Sequence, residues 1–307
     1  MAADDWTRPI TGSPYPLALV AEGDNPLSSS TRFLGGLMFV IAVVSYMFVV
    51  PLINAGVAYA GYLVEAPRGD WAAYSKLAQS YGTVWGVLGA HLALGSLTLV
   101  VWAYLRFMHR RKMAWMWSVS PGVRWRYALA CLGVAVVVVG AVGAYQWSVG
   151  PGWNPAGDWG WYAGVILVTT PFQALAEEVL FRGYLMWLFG SILRNVWFAI
   201  GATAVIFALF HGTQNPWLFG SRLVFGVLAG ILVWKTGGLE AAVAIHVVNN
   251  LVAFAIAIGT GTLTQLRTTT EVGWTQAVSD VGMFAVAALG CWAIAVRLKV
   301  PAVVRPA

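Results

Sequence analysis

Glu177 and Glu178 stand side by side in QALAEEVLFRGYL, residues 173–185, and Arg182 follows four positions after Glu178. The flanks are apolar, GWYAGVILVTTPF before and MWLFG after. A charge in hydrocarbon costs at least about 2.5–3.5 kcal/mol on insertion scales, so it persists where it is paired, solvated in a cavity or used. Of 12 acidic residues, only these two lie deep within an apolar run. Glu240 and Asp280 sit at span starts, where the positive end of a helix favours them. On a helix Glu178 and Arg182 share a face and can pair. Glu177 points about 140° away from Arg182, at ~100° per residue. Glu178 with Arg182 therefore reads as structural and Glu177 as the freer carboxylate. The plainer alternative is that both glutamates are ion-pair partners holding a bundle together.

Four histidines bear on the choice. His109 lies in a basic loop and is expected to be solvated. His91 is alone in its apolar run, and a hydrogen-bonded structural role is expected. His211 closes the run AVIFALF, and His246 lies within AAVAIHVVNNLVAF, with Asn250 four residues on and on the same face. Asn249 points elsewhere and is expected to bond across helices. A bundle core can bring a free Glu, two His and an Asn together from three helices. A carboxylate near a neutral imidazole can hold and deprotonate water. A second His with an Asn can donate hydrogen bonds to an oxyanion. No serine or cysteine has a general-base partner in this set, so the chemistry it suits is direct attack of water on an amide.

The elements that must carry these residues are membrane helices. The chain has 307 residues, 59% hydrophobic and 10% charged, with mean hydropathy +0.73. Soluble domains are nearer a quarter charged, so the chain reads as an all-α, polytopic membrane bundle. Apolar runs of roughly 20 residues fall near 33–56, 83–105, 127–148, 160–190, 195–211, 218–235, 239–259 and 279–297, which predicts about eight spans. Residues 1–32, mixed and Pro-containing, are expected to form a flexible cytoplasmic lead. Residues 33–298 form one membrane domain and 299–307 a tail. The first run is read as a retained span, with no cleavage site after it. The loop RFMHRRKMAWMWSVSPGVRWRY is placed in the cytoplasm by its Lys and Arg content. Alternation then puts both termini inside, with thirteen basic residues on that side, four on the other, and Arg182 at membrane depth. The net charge of +6 is membrane topology and not a nucleic-acid signal. Cys131 and Cys291 lie in apolar runs without ligand spacing and read as small buried residues. Many of the 17 tryptophans sit near span ends as interfacial anchors.

The chain resembles the CPBP intramembrane proteases, the CAAX-protease and bacteriocin-processing group also called the Abi family. The resemblance rests on EEVLFR at 177–182, FALFH at 207–211 and HVVNN at 246–250. These match the family's EExxxR, FxxxH and HxxxN in order, over about residues 160–260. It implies peptide-bond hydrolysis within the membrane, on a membrane protein or a peptide, with a lipidated substrate among the candidates. In prenyl-type relatives, substrate entry is expected at the cytoplasmic mouth. By motif, Glu177 and His211 would activate water, and His246 and Asn250 would stabilise the oxyanion. Glu178, Arg182 and Phe207 would support the site. No cofactor is implied. A Glu and two His could supply a zinc ligand set, but Asn250 is a poor zinc ligand and the HExxH helix is absent, so the metal-free mechanism is preferred. Two other classes stay open. One is a non-catalytic membrane scaffold or immunity protein that kept the motifs. The other is an ion-coupled transporter, which would favour inverted repeats that are not seen. In a prokaryote the location would be the cell membrane.

Overall fold

The computed structural model describes residues 8–21, 23, 25 and 28–306. Among them the fold is all-helical, with no β-structure beyond isolated bridges. Eight helices build the bundle: α1 (Ser29–Glu65), α2 (Val84–Met108), α3 (Trp125–Val149), α4 (Trp159–Leu193), α5 (Val196–Leu209), α6 (Pro216–Thr236), α7 (Glu240–Gly259) and α8 (Trp274–Arg297). Seven of these, all but α5, are long and apolar enough to cross a membrane.

The helix that carries the glutamates is the central one. In α4, 61% of the most apolar window is buried, against 11% in α1, so α4 packs against protein while α1 faces outward. Helix α7 lies against α3 and α4, α6 against α5 and α8, and α2 against α1 and α4. Two features interrupt α4. Pro171 removes one backbone donor. Val179–Leu185 is then wound as a π-helix, beginning directly after Glu178 and containing Arg182. Such wide turns recur at functional sites because they re-aim side chains.

Helix α5 departs from expectation. The apolar run suggests a span over 195–211, but the helix has 14 residues, roughly 21 Å at 1.5 Å per residue. That is short of a hydrocarbon core of about 30 Å. The helix stops because Gly212 takes φ 79° and turns the chain. Asn215 then caps α6, its side chain accepting from Leu218 N at 2.9 Å, with Pro216 in the first turn. His211 consequently sits just beyond a helix end, not within a span.

The connections sort to two ends of the bundle. At one, Asn154 N donates to Gly259 O and Asn215 N to Thr270 O. At the other, Val119 N donates to Gly237 O, and Pro14 bridges Val303. This second end carries the basic loop after α2. It is also where the described part of the expected flexible lead lies. Residues 8–21 pack instead of trailing. Tyr15 is fully buried and its hydroxyl donates to Met116 O. The Pro16 carbonyl lies so close to Gly190 that an added Cβ would be 1.9 Å from it. The apolar side chains among the prolines, Tyr15 and Leu19, give this segment something to bury. The rest of the expected lead within 1–7, 22, 24, 26 and 27 lies outside the described residues.

His109, expected to be solvated, is half-buried and hydrogen-bonded to Tyr184 Oη at 2.9 Å. Burial, and then the Arg111 guanidinium, push it down to about 4. Below its ordinary value of 6.5, the unfolded chain binds a proton that the folded chain refuses. Stability is therefore lost as pH falls through that window. The melting temperature in detergent should drop between pH 6.5 and 4, and His109→Gln should flatten that slope. An equal slope in the variant would contradict the assignment.

Candidate active site

The buried surface of α4 presents Gln173 and Glu177, four residues apart, as one row. Glu178 lies beside that row and reaches Arg182. The Arg182 Nη1 donates to Glu178 Oε1 at 2.8 Å, with both residues at 0% exposure. The guanidinium carbon lies 4.1 Å from the Phe207 ring centre of α5 and 5.1 Å from that of Phe225 of α6. These ring faces stabilise the buried cation. The pair expected from the i, i+4 spacing is present, despite the π-helical winding of its Arg end.

Helix α7 adds His246. Its Nδ1 lies 2.7 Å from the same Glu178 Oε1, and its Nε2 lies 3.6 Å from Glu177 Oε2. A carboxylate already paired with a guanidinium only accepts, so Nδ1 carries the hydrogen and donates it. In the neutral ring Nε2 is then bare and faces Glu177. One carboxylate orients the imidazole, and the other stands across from its free nitrogen.

One turn further along α7, Asn250 Nδ2 donates to Gln173 Oε1 at 3.1 Å, and Gln173 Nε2 donates to Glu177 Oε1 at 2.6 Å. Asn249 Nδ2 donates to Asn250 Oδ1 at 3.2 Å. The three amides form a directed chain that ends on Glu177. Each must present its NH2 toward the carboxylate, which fixes which atom of Asn250 faces the site. Gln173 was not singled out by sequence reasoning. Its signal was there, a polar residue four before Glu177 on the same face, but an uncharged amide in an apolar run draws less notice than a charge. Phe225 gave no signal at all, since it lies on a helix without a motif.

His211 does not join the network by a hydrogen bond among the described residues. Its Nδ1 donates to Phe207 O at 2.7 Å, which leaves Nε2 bare, and the residue is exposed. Phe207 is the link, with its ring centre 4.7 Å from that of His211 and 6.2 Å from that of His246. His91, on α2, is buried and bonded through Nδ1 to Thr169 Oγ1 at 2.7 Å. Among the described residues, no three His, Cys, Asp or Glu side chains are grouped to hold a metal ion.

The elements that converge here, α4 through α7, are also the stretch that known proteins share. Residues 159–252 match the family model described as type II CAAX prenyl endopeptidase Rce1-like. The resemblance drawn from the three motifs is thus borne out over this segment. The Rce1-like segment holds every residue of the network. The chain is also similar to an uncharacterized protein of Bacillus subtilis (strain 168), YyaK, at 31% identity over 98 residues. That match covers 30% of this chain and 32% of the relative, so the two share about a third of their lengths. No solved structure matches.

Glu178→Gln should destabilise the protein by about 3–5 kcal/mol, because Arg182 stays buried without its counter-charge. Unfolding in detergent measures this, and combining the change with Arg182→Met should recover part of the loss. An unchanged melting curve for Glu178→Gln alone would remove the pair's structural role.

Proposed function

We propose that the chain is an intramembrane endopeptidase that hydrolyses a peptide bond of a membrane-associated protein or peptide, with water as the nucleophile. The observation that carries this reading is the unequal treatment of two adjacent carboxylates. Glu178 is locked between Arg182 and His246. Glu177 has no such cation within its own helix turn, and it faces the Nε2 of His246 and an amide donor. The Rce1-like match supports the same class of reaction.

In this mechanism Glu177, with the bare Nε2 of His211, holds the attacking water and takes its proton. The water oxygen bonds to the carbonyl carbon. The negative charge that develops on the carbonyl oxygen is met by the Asn250 amide, whose donor orientation is set by Gln173. His246 donates there only when Nε2 carries a proton. Glu177, 3.6 Å away, can supply that proton once it has taken it from water. The C–N bond then breaks, and the proton passes to the leaving amine. Glu178 and Arg182 keep the His246 ring and the α4–α7 contact fixed throughout. The substrate is a peptide or membrane protein, with prenylated chains among the candidates, and both termini of the enzyme face the cytoplasm by the distribution of Lys and Arg.

A purified sample in proteoliposomes, given a prenylated CAAX peptide with a fluorophore and quencher across the scissile bond, tests this. Glu177→Gln should lower turnover by about 10²–10⁴-fold, the range for loss of a positioned acid–base group. Asn250→Ala should lower kcat by about 10²–10³-fold, as for other oxyanion donors. Both should melt near wild type. Wild-type turnover by folded Glu177→Gln would overturn the mechanism.

A further inference from the structure

We infer that the protein holds the headgroup of an anionic phospholipid at its basic end, in a groove between the start of α3 and the chain that follows α8. The inference goes beyond the protease reading and stands without it.

A cavity of about 370 Å³ opens there, lined by Arg124, Trp125, Arg126, Tyr127, Lys299 and Pro301 among others. That volume falls in the ~300–1,000 Å³ range of small-molecule sites. A second cavity, walled by Phe225, Leu232 and Phe284, holds about 10 Å³, room for about one water.

The walls of the groove are tied in place by bonds that need no ligand. Tyr127 is buried, and its hydroxyl donates to Cys291 O of α8 at 3.3 Å. Arg124 Nη1 donates to Thr236 O at 2.7 Å and to Pro301 O at 3.0 Å. Its Nε and Nη2 donate to the two carboxylate oxygens of Glu240 at 2.8 and 2.6 Å. Arg124 is therefore fully engaged, and so is the acid beside it. The charge left over in the groove is positive and comes from Arg126 and Lys299. Both are exposed, and neither forms an ion pair among the described residues.

Lys299 stands where another residue would fit with less strain. It takes φ 53° just past the end of α8, where Val300 N reaches back to Ala295 O at 3.0 Å. Glycine is the usual occupant of such a left-handed helix stop, because a Cβ is crowded there. A lysine at this position sets a cation on the groove.

The level of the groove in the membrane points to the ligand. Helix α3 begins at Trp125 and α8 ends at Arg297, so the groove sits where both helices leave the hydrocarbon. Below it the outward faces are apolar, with Trp125, Leu129 and Leu132 of α3 and Trp292 and Val296 of α8 exposed. Trp125 at that level fits the interfacial preference of tryptophan. A ligand in the groove has acyl chains beneath it and headgroups around it. The Lys and Arg excess assigns this end to the cytoplasm, and basic pockets between membrane helices on that side take anionic headgroups. A phosphate held by Arg126 and Lys299 is the contact this arrangement offers.

The test is a thermal melt of the delipidated full chain in detergent micelles, titrated with dioleoylphosphatidylglycerol. Dioleoylphosphatidylcholine and inorganic phosphate are the two comparison additives. Phosphatidylglycerol should raise the melting temperature saturably, and the other two should not. Arg126→Gln combined with Lys299→Gly should raise the half-saturating concentration about 25-fold, about fivefold for each cation removed. Glycine suits the backbone at 299, so Lys299→Gly without lipid should melt no lower than wild type. Lys112→Gln removes a cation from the same end but outside the groove, and should titrate like wild type. Equal weakening by Lys112→Gln and Lys299→Gly would reduce the effect to diffuse attraction and overturn the site. A matching shift with phosphatidylcholine would overturn it as contact with any lipid, and one with phosphate alone as a free-anion site. No shift with phosphatidylglycerol would overturn it outright. Should the double variant fail to fold, Arg126→Gln alone carries the test at about fivefold.

Discussion

A carboxylate with no exposed surface, inside a helix that crosses hydrocarbon, must be compensated where it stands. Glu178 is compensated twice through one oxygen, by Arg182 on its own helix and by His246 on α7. Much of the site follows from that shared atom. It fixes the contact between α4 and α7 in register. It decides which nitrogen of His246 holds the hydrogen and leaves the other facing Glu177. It keeps Arg182 deep enough to lie over Phe207 and Phe225, which brings α5 and α6 against the same point. Four helices are thus referenced to one ion pair, and Glu177 is spared from serving it.

Interactions within one helix were the most legible part of the site. Glu178 with Arg182 followed from spacing alone, and Asn250 was placed on the face of His246 by the same rule. The meeting of α4 with α7 was not readable, because uniformly apolar helices carry little information about which neighbour each one takes. The motifs singled out the residues, and packing assigned their partners. His246 was expected at the oxyanion, but its other nitrogen is held by Glu178, a contact that spans 68 positions of sequence. The π-helix after Glu178 left no trace in the pattern, since VLFRGYL reads equally well as an ordinary helix.

The errors about elements have physical causes as well. VWFAIGATAVIFALF is continuous enough to read as a span, and only the positive φ of Gly212 reveals that the helix ends early. Polar and proline-containing residues before α1 suggested a loose lead. Burial of Tyr15 outweighs them, because its ring packs against Trp187 and its hydroxyl is satisfied by Met116 O. Helices α1 to α3 and α8 lie outside the Rce1-like segment. They pack against the core helices, α2 on α4, α3 on α7 and α8 on α6.

The central claim is that one of two adjacent glutamates makes water attack a peptide bond while its neighbour holds the bundle. The most direct measurement incubates purified wild type and Glu177→Gln with membranes from cells lacking the protein, then maps new peptide termini by mass spectrometry. The account predicts new termini with wild type alone, with both proteins melting alike. Identical termini from two folded proteins, or none from either, would contradict it.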